Sequence, residues 1–182
     1  MKRKGFTLIE LIVVIAIIGV LLAILVPALI GYVTKSKIST ANDAAKKLYN
    51  GLNSAMVEIA SYDVPPKQLI GTHTVTGATV YSYLGLDVGE ELQKESKNMF
   101  AILYARTTEY FSDVQMIDQF SYKLKNDGCA GVGVMRGNYP GTYPIAITIA
   151  DYEADENWTT IGALNFALSH DKDSDAASGA GS

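Results

Sequence analysis

The dominant pattern in this chain is an apolar run near the N-terminus that no charged residue interrupts from Leu11 to Val33. As a helix rising about 1.5 Å per residue, this run is about 34 Å long, enough to cross a hydrocarbon core of about 30 Å. Lys2, Arg3 and Lys4 precede it. Because basic residues are retained on the cytoplasmic side, the pattern predicts one membrane span with its N-terminus inside.

Beyond the apolar run, residues 34–62 have the pattern of an amphipathic helix. Apolar residues recur at alternating spacings of three and four, which indicates one buried stripe. They are Ile38, Ala41, Ala45, Leu48, Leu52, Ala55 or Met56, and Ile59. No strong stop separates the two segments. The sequence therefore predicts one long helix over Phe6–Tyr62, which Val64-Pro65-Pro66 ends.

The chain from there to residue 168 has the short, turn-separated segments of an antiparallel sheet. The predicted strands are Phe120–Leu124, Gly131–Met135, Pro144–Ala150 and Thr160–Leu168. The predicted turns are at Gly128, Gly137-Asn138 and Pro140-Gly141. Thr72–Tyr83 suits a hairpin or an irregular loop, and a short helix within Glu90–Tyr104 is expected to start near Glu90. One long helix against an antiparallel sheet makes an α+β fold.

Composition excludes several classes of protein. The 182 residues carry a formal net charge of −4, which argues against a general nucleic-acid-binding surface. Cys129 is the single cysteine, so neither an internal disulfide nor a cysteine zinc site can form. We expect Cys129 to be a buried apolar residue.

Candidate catalytic and metal-binding residues are few. His73 and His170 lie in separate loop-like regions without a nucleophile nearby, and we expect both to be solvated. Asp171, Asp173 and Asp175 alternate as at the start of a calcium loop, but the glycine and glutamate that should follow are missing. The tail 169–182 is expected to be flexible and disordered. We therefore predict no catalytic residue, no metal, no cofactor and no enzymatic activity.

Glu10 is the single charge between Gly5 and Tyr32. A carboxylate at membrane depth costs about 2.5–3.5 kcal/mol or more, so it is normally paired or functional. A cleaved secretory signal has a shorter apolar region, and a plain membrane anchor leaves Glu10 without a role.

The segment Lys4-Gly5-Phe6-Thr7-Leu8-Ile9-Glu10 resembles the class III signal of type IV pilins and the related pseudopilins. The shared features are a basic leader, a glycine before the cut, an aromatic first mature residue and a glutamate four residues later. The resemblance covers about the first 35 residues. It implies that a prepilin peptidase removes residues 1–5 by cutting between Gly5 and Phe6, and that Phe6 is then N-methylated. It also implies a pilin-like roll, with a filament-core helix over 6–33 and a globular head over 34–168.

The resemblance gives Glu10 a partner. After cleavage, Phe6 would carry a cationic amine one helical turn away, whereas we expect Glu10 to be unpaired before cleavage. In resembling pilins the glutamate of an incoming subunit neutralises a neighbour's amine and sets the register of assembly. The resemblance also implies that the helix between Gly19 and Pro27 unwinds in the filament. The alternative is that a membrane helix simply tolerates both residues.

The function implied by the resemblance is that of a structural pilus subunit for adhesion, twitching motility and biofilm formation. Its partners would be further copies of the chain in a helical filament, the prepilin peptidase, an assembly ATPase, a platform protein and minor pilins. It would lie in the cytoplasmic membrane before assembly and in an extracellular pilus afterwards. Two alternatives remain: a pseudopilin of a type II secretion or competence system, and a single-span anchor for a binding or enzymatic domain.

Overall fold

The computed structural model describes residues 6–62, 66–126, 128–155 and 157–169. The chain divides into two compact units, Met1–Ser36 and Lys37–Ser182. The helices are α1 (Leu8–Ser61), α2 (Gly77–Tyr81), α3 (Val88–Gln93), α4 (Met99–Tyr110), α5 (Ile149–Ala154) and α6 (Thr160–Ala167). The strands are β1 (Gly71–Val75), β2 (Gln119–Lys125), β3 (Gly128–Arg136) and β4 (Tyr139–Tyr143), and short 3₁₀ helices cover Pro66–Leu69 and Ser112–Met116.

The first unit consists of the apolar part of α1. Its large apolar side chains are exposed, as Leu8 at 77% and Ile24 at 70% illustrate. By length and composition, α1 is the one helix among the described residues that is apolar enough to cross a membrane. The predicted long helix is confirmed, because α1 continues without a break from this unit into the second.

The second unit, which we call the head, is built around the amphipathic part of α1. Every residue of the predicted stripe from Ile38 to Ile59 is buried. The stripe shares a core with Phe120, Tyr122, Val132 and Val134 of the sheet. The 3.6-residue period identified this face correctly because burial of one stripe is what an amphipathic helix requires.

The sheet is an antiparallel meander in the order β1-β2-β3-β4. The predicted turn at Gly137-Asn138 is confirmed, since it joins the paired residues Arg136 and Tyr139. Gly137 has a φ of 59°, in the region that favours glycine. Gly128, also predicted as a turn, begins β3 and has a φ of 130°.

Helices cover both faces of the sheet. A side chain at Gly141 would collide with the backbone of Ala41 in α1, and one at Gly133 would collide with the backbone of α6. Gly141 pairs with Val134, and successive residues of a strand face opposite sides of the sheet, so Gly141 and Gly133 face opposite sides. The head is therefore layered as α1, sheet and α6. The α+β prediction is confirmed.

Two predicted strands are wrong. Thr160–Leu168 forms α6 instead, because the Thr159 hydroxyl accepts a hydrogen bond from Gly162 N at 3.0 Å and caps a helix. Ala163, Leu164 and Ala167 then form its buried stripe.

The second wrong strand is Pro144–Ala150. Its last residues begin α5, where Thr148 and Asp151 form a capping box. The fourth strand is instead Tyr139–Tyr143, which contains Pro140-Gly141. The turn predicted at these two residues is therefore also wrong, because Gly141 serves a close approach to α1 rather than a turn.

The segment before the sheet is more ordered than expected. Thr72–Tyr83 forms neither a hairpin nor an irregular loop: most of its first half belongs to β1, which pairs with β2, and most of its second half to α2. A helix does begin near Glu90, at Val88 after the Asp87 cap. It ends at Gln93, and α4 follows as a separate helix.

Candidate assembly site

The start of α1 holds Glu10 in a capping box with Thr7. Glu10 Oε2 accepts hydrogen bonds from Thr7 N at 2.8 Å and from Thr7 Oγ1 at 2.7 Å. In return, Glu10 N donates to Thr7 Oγ1 at 3.3 Å. These contacts satisfy backbone donors that the first turn of a helix otherwise leaves without partners.

Glu10, expected to be unpaired before cleavage, therefore has a hydrogen-bond partner but no ion-pair partner among the described residues. Thr7 supplies two neutral donors to its carboxylate without any help from a cationic amine. The pattern Thr-x-x-Glu at positions 7 to 10 is the sequence signature of a capping box and was sufficient to predict this contact. The capping box does not neutralise the charge, so a cationic partner remains useful in hydrocarbon.

The other predicted site residues of this segment lie around the capping box. Phe6 is 82% exposed, directly before the cap, and Gly5 lies outside the described residues. Gly19 and Pro27 both lie inside α1, which is continuous across them in this single chain. A side chain at Gly19 would meet nothing within 4 Å, so its absence leaves open surface on the helix.

The head contains two candidate reactive residues, His73 and Cys129. His73 is half-buried rather than solvated, because its ring packs on Phe100 and Tyr122 with centroid distances of 4.9 and 5.3 Å. Its Nε2 lies 2.8 Å from Leu69 O. Cys129 is buried, as predicted, and burial raises the pKa of its thiol to about 12.

In the described part of the chain, no group of three or more histidine, cysteine, aspartate or glutamate residues is placed to hold a metal ion. His170, Asp171, Asp173 and Asp175 lie outside the described residues.

The N-terminal segment of the chain is similar to segments of known proteins. Residues 1–26 match the prokaryotic N-terminal methylation motif. The type IV major pilin protein PilA of Myxococcus xanthus is 44% identical over 61 residues, which span 34% of this chain and 28% of that protein. The fimbrial protein Q of Moraxella bovis is 41% identical over 92 residues, or 45% of this chain and 55% of that protein.

One relative is similar over most of the chain. The fimbrial protein of Neisseria meningitidis is 24% identical over 162 residues, covering 82% of this chain and 95% of that protein. No solved structure matches the chain.

The chain spans less than a third of the Myxococcus relative, and the similarities agree with the resemblance of its N-terminal segment to type IV pilins. The methylation motif lies where the signal was predicted, and the long helix on an antiparallel sheet is a pilin-like arrangement. The relatives are named as pilin or fimbrial proteins.

Proposed function

We propose that this chain is the structural subunit of a type IV pilus, which its N-terminal helix first anchors in the membrane and then packs into the filament core. The observation that carries the proposal is the exposed apolar surface of α1 between Leu8 and Val33, which directly follows a methylation motif.

An exposed apolar helix needs a cover. Burial of apolar surface contributes about 25 cal/mol per Å², so a helix with side chains as exposed as Ile24 and Leu29 is unstable in water. Lipid tails provide the cover before assembly, and the same helices of neighbouring copies provide it afterwards. The chain would be oriented with Lys2, Arg3 and Lys4 on the cytoplasmic side.

Processing prepares the site of assembly. A prepilin peptidase would cut between Gly5 and Phe6 and methylate the new amine on Phe6. That amine would carry a positive charge one residue before the capping threonine. The Glu10 carboxylate of an incoming subunit would neutralise the amine of a neighbour, and this requirement would set the axial register.

The capping box refines this role for Glu10. Because Thr7 holds Glu10 Oε2 at the helix start, the carboxylate is presented at a defined position before the amine arrives. Thr7 thereby lowers the cost of carrying a charge in the membrane. It leaves the neutralisation itself to the neighbouring subunit.

The remaining parts of the proposal concern the assembled filament. The helix between Gly19 and Pro27 would unwind there, because Pro27 has no backbone donor and Gly19 stabilises a helix poorly. Assembly would require an extension ATPase, a platform protein and minor pilins. The filament would serve adhesion, twitching motility and biofilm formation.

Two measurements test processing and distinguish the alternatives. The intact mass of the native protein should correspond to loss of Met1–Gly5 and gain of one methyl group, and an uncleaved mass would favour a single-span anchor instead. Electron microscopy of shear fractions should find surface filaments that disappear when the gene is deleted. Filaments that persist without the gene would favour a pseudopilin.

A substitution tests the role of Glu10. Glu10→Val should still insert and be cleaved, but the yield of sheared filaments should fall. Glu95→Gln removes one exposed carboxylate from the head and serves as the control. A normal filament yield from Glu10→Val would contradict the role in register.

A further inference from the structure

The head carries a cleft beside the β3–β4 turn. It has a volume of about 760 Å³, within the range of about 300–1,000 Å³ that small-ligand sites occupy. Asn138 of the turn contributes to its wall, as do Tyr152 and Glu153 of α5. Asp155, Asn157, Trp158 and Thr159, which lie between α5 and α6, supply much of the remainder. The cleft lies in the head and plays no part in the assembly proposed above.

Two aromatic rings line the cleft and are held by other rings. Tyr152 stacks on Tyr139 with a centroid distance of 5.8 Å and an angle of 27° between the rings. Trp158 makes an edge contact with Phe166, also at 5.8 Å. Since each ring is packed on a neighbour, a ligand would not have to order them first.

The charge of the lining is negative. Glu153 and Asp155 contribute exposed carboxylates, and no lysine or arginine lies among the described residues that line the cleft. The Asp155 carboxylate is oriented by the connection itself, because its Oδ1 accepts a hydrogen bond from Asn157 N at 2.9 Å. An anionic ligand would be repelled, and a cationic one attracted.

The burial of the Trp158 indole nitrogen favours a cation over a neutral saccharide as the ligand of the cleft. Nε1 is fully buried and has no hydrogen-bond partner among the described residues. A hydroxyl acceptor of a ligand therefore cannot reach it, and Trp158 presents carbon surface only. Carbon surface of an aromatic ring beside carboxylates suits a cation, which the ring attracts electrostatically.

We propose that this cleft binds a small organic cation with a substituted ammonium group. The ammonium would lie against the rings of Tyr152 and Trp158, and Glu153 and Asp155 would balance its charge. The amide of Asn138 would contact the polar remainder of the ligand.

Trp158 also provides the test, because it is the single tryptophan of the chain. The full-length protein in a nonionic detergent is titrated with tetramethylammonium chloride, with sodium chloride at the same ionic strength as the reference. The emission of Trp158 should change saturably with tetramethylammonium and not with sodium. A change equal to that of the sodium reference would overturn the proposal.

Variants assign the response to the cleft. Tyr152→Leu should weaken tetramethylammonium binding by about 3- to 30-fold through loss of the cation–π contact. Glu153→Gln combined with Asp155→Asn should weaken it by at least about tenfold at low salt, whereas Glu90→Gln with Glu95→Gln removes two charges elsewhere and should leave it unchanged. Equal binding by the two double variants would refute the assignment. So would an equally saturable response to the neutral disaccharide maltose.

Discussion

Thr7 and Glu10 bind each other at the start of α1, through two hydrogen bonds to Glu10 Oε2 and one from Glu10 N to the threonine hydroxyl. Glu10 is the single charged residue between Gly5 and Tyr32, and its carboxylate is thus also part of a helix cap. The local cap and the proposed pairing with a neighbour's amine use the same carboxylate. A substitution of Thr7 can therefore weaken the cap without removing the charge.

Thr7→Val should destabilise the first turn of α1 by about 1 kcal/mol, because the hydroxyl that both donates to Oε2 and accepts from Glu10 N is lost. Amide hydrogen exchange of Ile9, Glu10 and Leu11 in detergent micelles should become faster. Thr7→Ser keeps the hydroxyl and should retain most of the protection. Equal exchange in Thr7→Val and the parent protein would contradict the importance of the cap.

Asn42 joins α1 to the chain after β4, and Asn42→Ala should lower the free energy of unfolding by about 2–3 kcal/mol. Asn42 Oδ1 accepts from Thr142 N at 2.9 Å and from Ile147 N at 3.2 Å, and its Nδ2 donates to Ile147 O at 2.8 Å. The alanine variant leaves these part-buried groups without their partner. Urea unfolding in detergent, followed by Trp158 fluorescence, measures the change.

The exposed Asn50 of the same helix offers a matched control. Asn50→Ala should leave the stability unchanged or raise it slightly, because alanine is the better helix former. Similar losses in Asn42→Ala and Asn50→Ala would show that the three hydrogen bonds of Asn42 contribute little.

Two glycines should respond oppositely to alanine. A Cβ at Gly141 would lie 2.1 Å from the backbone of Ala41, so Gly141→Ala should destabilise the head by about 1–3 kcal/mol or prevent folding. A Cβ at Gly51 of α1 would meet its nearest atoms at 3.6 Å, an ordinary contact. Gly51→Ala should therefore stabilise the protein by about 0.5–1 kcal/mol. Urea unfolding measures both changes in stability. A Gly141→Ala variant as stable as the parent protein would disprove the close packing of β4 on α1.

Cys129 should make the stability of the head depend on alkaline pH. Burial raises its thiol pKa in the folded state from 9.0 to about 12. Because the folded-state pKa is the higher one, the contribution is complete below pH 9 and is lost as the pH rises from 9 to 12. At pH 10 the parent protein should have lost about 1.4 kcal/mol through this group.

Cys129→Ala removes this dependence. Burial also raises the pKa values of Tyr104 and Tyr122, but both groups ordinarily titrate near pH 10, at the upper end of this range. The difference in unfolding free energy between parent and variant should therefore shrink between pH 8 and pH 10. Parallel pH curves would contradict the buried, neutral state of the thiol.

The sequence by itself determined the features that depend on neighbouring residues. The buried stripe from Ile38 to Ile59 follows from the helical period, and the apolar run before it from hydropathy. The signal around Gly5, Phe6 and Glu10 is contiguous, so its match to the methylation motif needed no structure. The contact between Thr7 and Glu10 is equally local, and the pattern Thr-x-x-Glu is its sequence signature.

Only the tertiary structure decided the second half of the head. Thr160–Leu168 was predicted as a strand, yet it forms α6, because Thr159 caps a helix there and Gly133 leaves room for the helix backbone on the sheet. Pro140-Gly141 has the composition of a turn but lies in β4, where the lack of a side chain admits α1.

The long-range contacts of the head and its cleft also could not be predicted from the sequence. Asn42 and Ile147 are separated by 105 positions, and the cleft combines Asn138 with Tyr152 and Trp158. Local propensity cannot specify such contacts, because their free energy depends on which segments the folded core brings together. The N-terminal segment therefore indicated the class of protein that the chain resembles, and the packing of the head revealed the cleft.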